Sequence, residues 1–165
     1  MTTPKAKLAG LALITALCAG FTLGLTAPAW AGWDEAMAAY QRGDYATALR
    51  EWHPLAEQGG ANAQLLLGSM YDNGRGVPQD YTEAVKWYRK AAEQGNARAQ
   101  RALGIMYRYG YGVAKDFVLA HMWYNLAAAQ GNFGSGWERG VVAMKMTPAQ
   151  LSEAQKLARE WKPKK

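Results

Sequence analysis

Apolar and polar positions follow a helical period through most of the chain. Ala63, Leu67, Met70 and Tyr71 stand at i, i+4, i+7 and i+8, one face of a helix. After a glycine-rich break, Ala84, Trp87, Tyr88 and Ala91 draw a similar stripe. Both stripes return 36 residues later, in Ala99, Leu103, Met106 and Tyr107, then in Ala120, Trp123, Tyr124 and Ala127. The spacing predicts helices over 61–72, 80–94, 97–108 and 116–130. Flanking patterns predict helices over 33–41 and 44–58, a broken one over 134–144 and a last one over 148–161. In the last, Leu151, Ala154, Leu157, Ala158 and Trp161 share a face.

The recurrence is a duplication. Residues 61–96 and 97–132 align without a gap and agree at 19 of 36 positions, far above chance. A partial copy, Gly43–Gly60, precedes them in the same register. A period of this size marks a solenoid of helix pairs, each burying an apolar side it cannot shield alone. The expected fold is therefore all-α: an α/α solenoid of antiparallel pairs, stacked as a short right-handed superhelix and sealed by a C-terminal capping helix. Local signals agree. Asp80 is placed to cap its helix, with Glu83 to complete a capping box, and Asp44 and Asp116 are the corresponding caps. Gly74 and Gly76 suit a tight loop, and Gly95 and Gly131 suit helix ends. Gly68 and Ala84 lack bulk and let paired helices approach. Thr147, Pro148 and Gln150 supply a cap, a first-position proline and a box for the last helix. Pro54 falls inside its helix and is expected to bend it. Gly140 stands in register with Gly68 and Gly104, as if a third copy began.

The repeat resembles the Sel-one-like repeat family, relatives of the tetratricopeptide repeats. In the first copy the family pattern is carried by Ala63, Leu67, Gly68, Tyr71, Gly74, Gly76, Val77, Asp80, Ala84, Trp87, Ala91, Ala92 and Gly95. In the second it is carried by Ala99, Leu103, Gly104, Tyr107, Gly110, Gly112, Val113, Asp116, Ala120, Trp123, Ala127, Ala128 and Gly131. The resemblance implies an α/α solenoid that binds other proteins, often in bacterial envelopes, with no catalysis and no cofactor.

The first 31 residues are a different material. Lys5 and Lys7 precede an apolar run from Leu8 to Leu25, and Ala29 and Ala31 have the small-x-small spacing of a cleavage site. This reads as a signal peptide cut after Ala31 and places the protein in the periplasm or outside the cell. An uncleaved anchor is the alternative, because the run is close to the length of a bilayer span. Domain boundaries follow: a signal segment over 1–31 and a repeat domain over 32–165. The domain divides into a partial repeat at 33–60, full repeats at 61–96 and 97–132, and a degenerate repeat with its cap at 133–162. The only cysteine, Cys18, lies in the signal, so the processed chain has no disulfide or thiol chemistry. Loss of Lys5 and Lys7 lowers the formal charge from +6 to +4, too mild an excess to argue for nucleic acid.

No catalytic constellation emerges. His53 and His121 fall in different units without metal-ligand spacing, and the serines lack a nucleophile elbow. His121 replaces Val85 beside the core stripe and reads as a packed helix histidine. Function is therefore sought where the copies differ: Asn62/Arg98, Leu65/Arg101, Ser69/Ile105 and Asp72/Arg108, with Leu66/Ala102. The first four pairs share a helix face opposite the conserved one, expected to line a concave groove. The second copy places Arg98, Arg101 and Arg108 there, and its loop adds Tyr109 and Tyr111. These five residues are the expected contacts for an extended or acidic segment of a partner protein. The competing reading is an ordinary solvated face. A second functional reading is a module for an envelope ligand, peptidoglycan or anionic lipid, using the arginines and the basic tail Lys162, Lys164 and Lys165. The chain is expected to be a monomer or to self-associate weakly, and to touch a membrane only through its signal segment.

Overall fold

The computed structural model describes residues 29–164. They form eight helices and no strand: α1 (Ala29–Gln41), α2 (Tyr45–Glu57), α3 (Ala61–Asn73), α4 (Tyr81–Glu93), α5 (Ala97–Tyr109), α6 (Phe117–Ala129), α7 (Ser135–Ala143) and α8 (Pro148–Glu160). Each of α1 to α7 packs against its neighbour in sequence, which is the arrangement of a solenoid. Among the described residues no helix is long and apolar enough to cross a membrane. Most of the expected signal segment lies outside the described residues. Its last three residues form the start of α1, which begins at Ala29 instead of Trp33.

The stripes become the core. Leu67, Met70 and Trp87 are buried with Trp52 and Ala56 of α2, and Leu103, Met106 and Trp123 are buried with Tyr88 and Ala91 of α4. Burial of such side chains contributes about 1.5–3 kcal/mol each, so each of these pairs is stabilised by the one before it. The small residue that sets helix spacing is the glycine of the first helix. A Cβ at Gly104 would lie 2.6 Å from the Tyr124 ring, and one at Gly68 would lie 2.5 Å from the Tyr88 ring. The tyrosine of the second helix thus fills a hole that only glycine leaves open. The loops are equally tight. Gly112 has φ +66°, and a Cβ there would come within 2.3 Å of the Tyr81 carbonyl oxygen, so the α5–α6 loop rests on the start of α4.

Between units runs a buried glutamine clamp. The Gln100 amide donates to the Ala92 carbonyl at the end of α4 (3.2 Å), and its oxygen accepts from Gln130 at the end of α6 (2.8 Å). Gln64 repeats this with Ala56 (2.9 Å) and Gln94 (2.8 Å). Both clamping side chains are buried, so each bond answers an otherwise costly desolvation.

One local expectation needs correction. Asp80 caps α4 through the Glu83 N–H, but no reciprocal box forms. The Asp80 N–H donates to the Tyr71 carbonyl instead (2.9 Å), and the Glu83 carboxylate pairs with Lys86 (2.7 Å). Helix α2 continues through Pro54 to Glu57, and the Pro54 carbonyl accepts the Gln58 N–H at 3.0 Å. Thr147 and Gln150 do form their box. The last helix lies along α6, with Trp161 edge-on to Trp123 at 6.3 Å. Its tail reaches back to α4, where the Lys164 N–H donates to the Glu93 carbonyl (2.7 Å) and the Lys164 ammonium meets the Glu93 carboxylate (2.9 Å). The outer face of α7 is therefore left uncovered at the end of the stack.

Candidate functional site

The first helices of successive units stand side by side, because each is followed by a returning helix and a short turn. Their outward faces enclose a cleft of about 690 Å³. One wall is Leu65, Leu66, Ser69 and Asp72 of α3, and the other is Arg98, Arg101, Ala102 and Ile105 of α5. Tyr40 of α1 and Phe133 of the α6–α7 turn close it off. Eight of the twelve residues at which the first helices differ thus meet in one cavity. The exceptions are Asn62, Asn73, Arg108 and Tyr109. Asn62 accepts a hydrogen bond from Asn96 (3.0 Å).

The five expected contact residues separate into three groups. Arg98 is exposed at the first turn of α5 and lines the cleft, and among the described residues it has no ion-pair partner. Arg101 also lines the cleft, but its guanidinium donates to Glu138 of α7 at 2.6 Å. Its charge is spent on a strut between α5 and α7. Arg108, Tyr109 and Tyr111 lie beyond the cleft, at the rim. Arg108 sits over the Tyr109 ring (4.8 Å), Tyr109 stacks on Tyr111 (5.6 Å), and Tyr111 stacks on Tyr81 (4.9 Å). The rim is a ladder of stacked rings in which Tyr109 and Tyr111 remain 51% and 42% exposed.

The cleft has two electrostatic ends. Arg98 marks the N-terminal end of α5. At the C-terminal end of α3, the Tyr88 hydroxyl donates to Asp72 (3.1 Å). Burial raises the pKa of Asp72 despite that hydrogen bond. Burial, followed by Asp72, pushes the Tyr88 hydroxyl well above its ordinary range. In the second unit Asp72 becomes Arg108, and the acid is supplied from outside the repeat by buried Glu138. Tyr124 lies against both, its pKa raised by burial and then by Glu138.

Asp72, Leu65 and Leu66 are the part of the site that the arginine-centred reading passed over, although they stood in the same list of altered positions. Glu138 left no such signal, because it lies outside the clean repeats. His121 is buried, and burial followed by Arg139 lowers its pKa. Among the described residues no group of three or more His, Cys, Asp or Glu side chains gathers to hold a metal ion. In the basic tail, Lys164 is held by Glu93.

The Sel1 repeat matches residues 61–96 and 97–132. No curated protein matches the sequence. Among solved structures, the chain is similar to c5321, a protective antigen present in uropathogenic Escherichia coli strains and displaying an SLR fold. The identity is 31% and the TM-score 0.77, over 82% of this chain and 30% of that one. It is also similar to a Sel1 repeat protein from Oxalobacter formigenes, with 32% identity and a TM-score of 0.63 over 77% of this chain and 54% of that one. The chain thus spans about a third and about half the length of these two proteins.

Proposed function

Because the chain is a Sel1-repeat protein, we propose that it is a binding scaffold whose α3–α5 cleft holds an extended segment of a partner protein. We place it in the bacterial envelope, on the export signal read in residues 1–31. The observation that carries the reading is the cleft itself. Eight residues that differ between the first helices of the two units meet there, whereas Gly68, Gly104, Gln64 and Gln100, which the units share, serve stacking.

Its dimensions and charge describe the guest. Ten helical residues separate the level of Arg98 from that of Asp72 in the repeat register, about 15 Å at 1.5 Å per residue. An extended chain covers that distance in about four or five residues. Leu65, Leu66 and Ile105 offer an apolar middle, Arg98 a cation at one end and Asp72 an anion at the other. The matching segment has a central aliphatic or aromatic side chain, an acidic group toward Arg98 and a basic group toward Asp72.

The test is peptide binding by fluorescence anisotropy. Two labelled hexapeptides with an identical apolar centre carry Glu and Lys at opposite ends, in either order. The reading expects one order to bind at least tenfold more tightly. It also expects Arg98→Glu combined with Asp72→Lys to invert the preference. Equal binding of both orders, unchanged by the double variant, rejects it. Export has a separate test: the N-terminal residue of the protein recovered from the envelope fraction is expected to be Gly32.

A further inference from the structure

Arg101 and Glu138 meet by one edge only. The guanidinium donates a single hydrogen bond to Glu138 Oε1. Arg101 Nε and the second carboxylate oxygen, Glu138 Oε2, are buried and have no hydrogen-bond partner among the described residues. A two-pronged arginine–carboxylate pair would satisfy both. A third unpaired group lies beside them. The Tyr124 hydroxyl is buried and also without a partner among the described residues, against Glu138 and Arg108. The first unit shows what a tyrosine and a carboxylate do in this place, where Tyr88 donates to Asp72. The two ends of the ion pair also differ in setting. The Glu138 side chain is 11% exposed, whereas that of Arg101 is 41% exposed and lines the cleft. Arg98 lines the same cleft three residues earlier, on the same face of α5.

We propose, resting on the cleft reading above, that Arg101 is a second acid-binding group of the cleft, held by Glu138 until a partner segment with two acidic side chains arrives. On binding, the guanidinium turns from Glu138 to the second carboxylate of the guest. Glu138 then accepts from the Tyr124 hydroxyl and stays beside Arg108. The second unit thereby repeats the Tyr88–Asp72 pairing of the first. No buried carboxylate is left without a partner, which is the outcome that makes breaking a buried pair so unfavourable. The three groups unpaired in the present arrangement all gain partners: Arg101 Nε in the guest, and Glu138 Oε2 and Tyr124 in each other. Side chains at i and i+2 of an extended segment project to one side, about 6.5 Å apart, within reach of two arginines one helical turn apart. The guest therefore carries an acid-x-acid sequence at the end that faces Arg98, ahead of its apolar centre. Its arrival also cuts the tie of α7 to α5, leaving α7 to its contacts with α6, among them the Arg139–Asn125 hydrogen bond (2.6 Å).

Fluorescence anisotropy with two labelled peptides tests this. Both carry the same apolar centre and basic end, and the acidic end is Glu-Ser-Glu in one and Glu-Ser-Gln in the other. Each is made in both orders, and the tighter orders are compared. Glu-Ser-Glu is expected to bind about fivefold more tightly, the margin left once the Glu138 contact is given up. Arg101→Gln is expected to bring the two peptides to equal affinity. Glu138→Gln keeps the shape, removes the competing charge and is expected to widen the ratio to about twentyfold. Circular dichroism checks the fold of each variant. If Arg101→Gln does not fold, Arg101→Gln combined with Glu138→Gln, which buries no charge at this pair, takes its place. Amide hydrogen exchange in α7 is expected to quicken with Glu-Ser-Glu and not with Glu-Ser-Gln, a response that a purely structural ion pair would not give. Equal binding of both peptides by the parent overturns the partner switch and leaves the cleft reading standing. So does a preference that survives Arg101→Gln, or an α7 that does not respond to Glu-Ser-Glu. Binding of neither peptide rejects the cleft reading, and the switch with it.

Discussion

The two complete repeats, 61–96 and 97–132, share a skeleton and differ in dress. Among the interactions that recur, the Gly68–Tyr88 and Gly104–Tyr124 contacts and the Gln64 and Gln100 clamps serve stacking. Contacts that change lie on the cleft and the rim, and one changed pair, Val85 and His121, is buried. Where the first unit pairs Tyr88 with Asp72, the second sets Tyr124 beside Arg108 and borrows Glu138 from α7. Where the first rim places Arg75 over Tyr40 and Tyr45, the second stacks Tyr111 on Tyr81 and Tyr109. The difference teaches that much of what the copies share serves assembly, while much of what differs lines the cleft and the rim.

The strongest way to break the comparison is at the shared glycine. Gly104→Ala forces a methyl to within 2.6 Å of a buried ring and is expected to cost about 1–3 kcal/mol, seen as a lower urea midpoint. The same change at Gly140, where nothing is within 4 Å, is expected to be neutral, or to stabilise α7 by about 0.5–1 kcal/mol. Equal losses at both positions would show that register, and not the tyrosine, demands the glycine.

Next in size is the clamp. Gln100→Ala leaves the buried Ala92 carbonyl without its side-chain donor and is expected to cost about 1–3 kcal/mol, read by the same denaturation. A cost confined to local fraying, visible in hydrogen exchange of α5 alone, would demote the clamp from joint to ornament.

The third contrast is Val85 against His121. The folded-state pKa of His121 is depressed by burial, then by Arg139, so the unfolded chain takes up a proton more readily. The stability this group permits is complete above about pH 6.5, the ordinary histidine value, and declines as pH falls through it. His121→Val, which copies the first unit, is expected to flatten the unfolding free energy between about pH 7 and pH 5. An unchanged slope would assign the pH dependence to another group.

The smallest effect is expected at the rim. Tyr111→Arg gives the second loop the residue of the first, and its ring is exposed, so stability should move by no more than about 0.5 kcal/mol by thermal melting.

Most of the stacking was legible because its causes are local or periodic. The stripes, the caps at Asp44, Asp80 and Asp116, and the positive-φ loop glycines each follow from residues within one turn of one another. The clamp was visible only as glutamines kept in both copies; nothing in a single helix says where a buried amide will reach. The missing box at Asp80 shows the same limit from the other side. Its N–H is claimed by Tyr71 from the preceding helix, a partner that a four-residue signature cannot see. In the site, the groove-facing stripe could be read from the copies, but the fate of its charges could not. Arg101 looks free until Glu138 arrives from 37 residues away, outside the repeat that drew attention to it. An amphipathic α8 likewise states that it needs a neighbour without stating which.

The glutamine joint has one more consequence. Each full unit brings one amide that reaches backward and one that serves its own opening helix, so the coupling is the same at the α2–α3 and α4–α5 junctions. A further copy of residues 97–132, spliced in after Asn132, would find its acceptor waiting in Ala128 and its donor within itself. The architecture is extensible by whole modules, and α7, with Gly136 where a clamping glutamine would stand, writes the full stop.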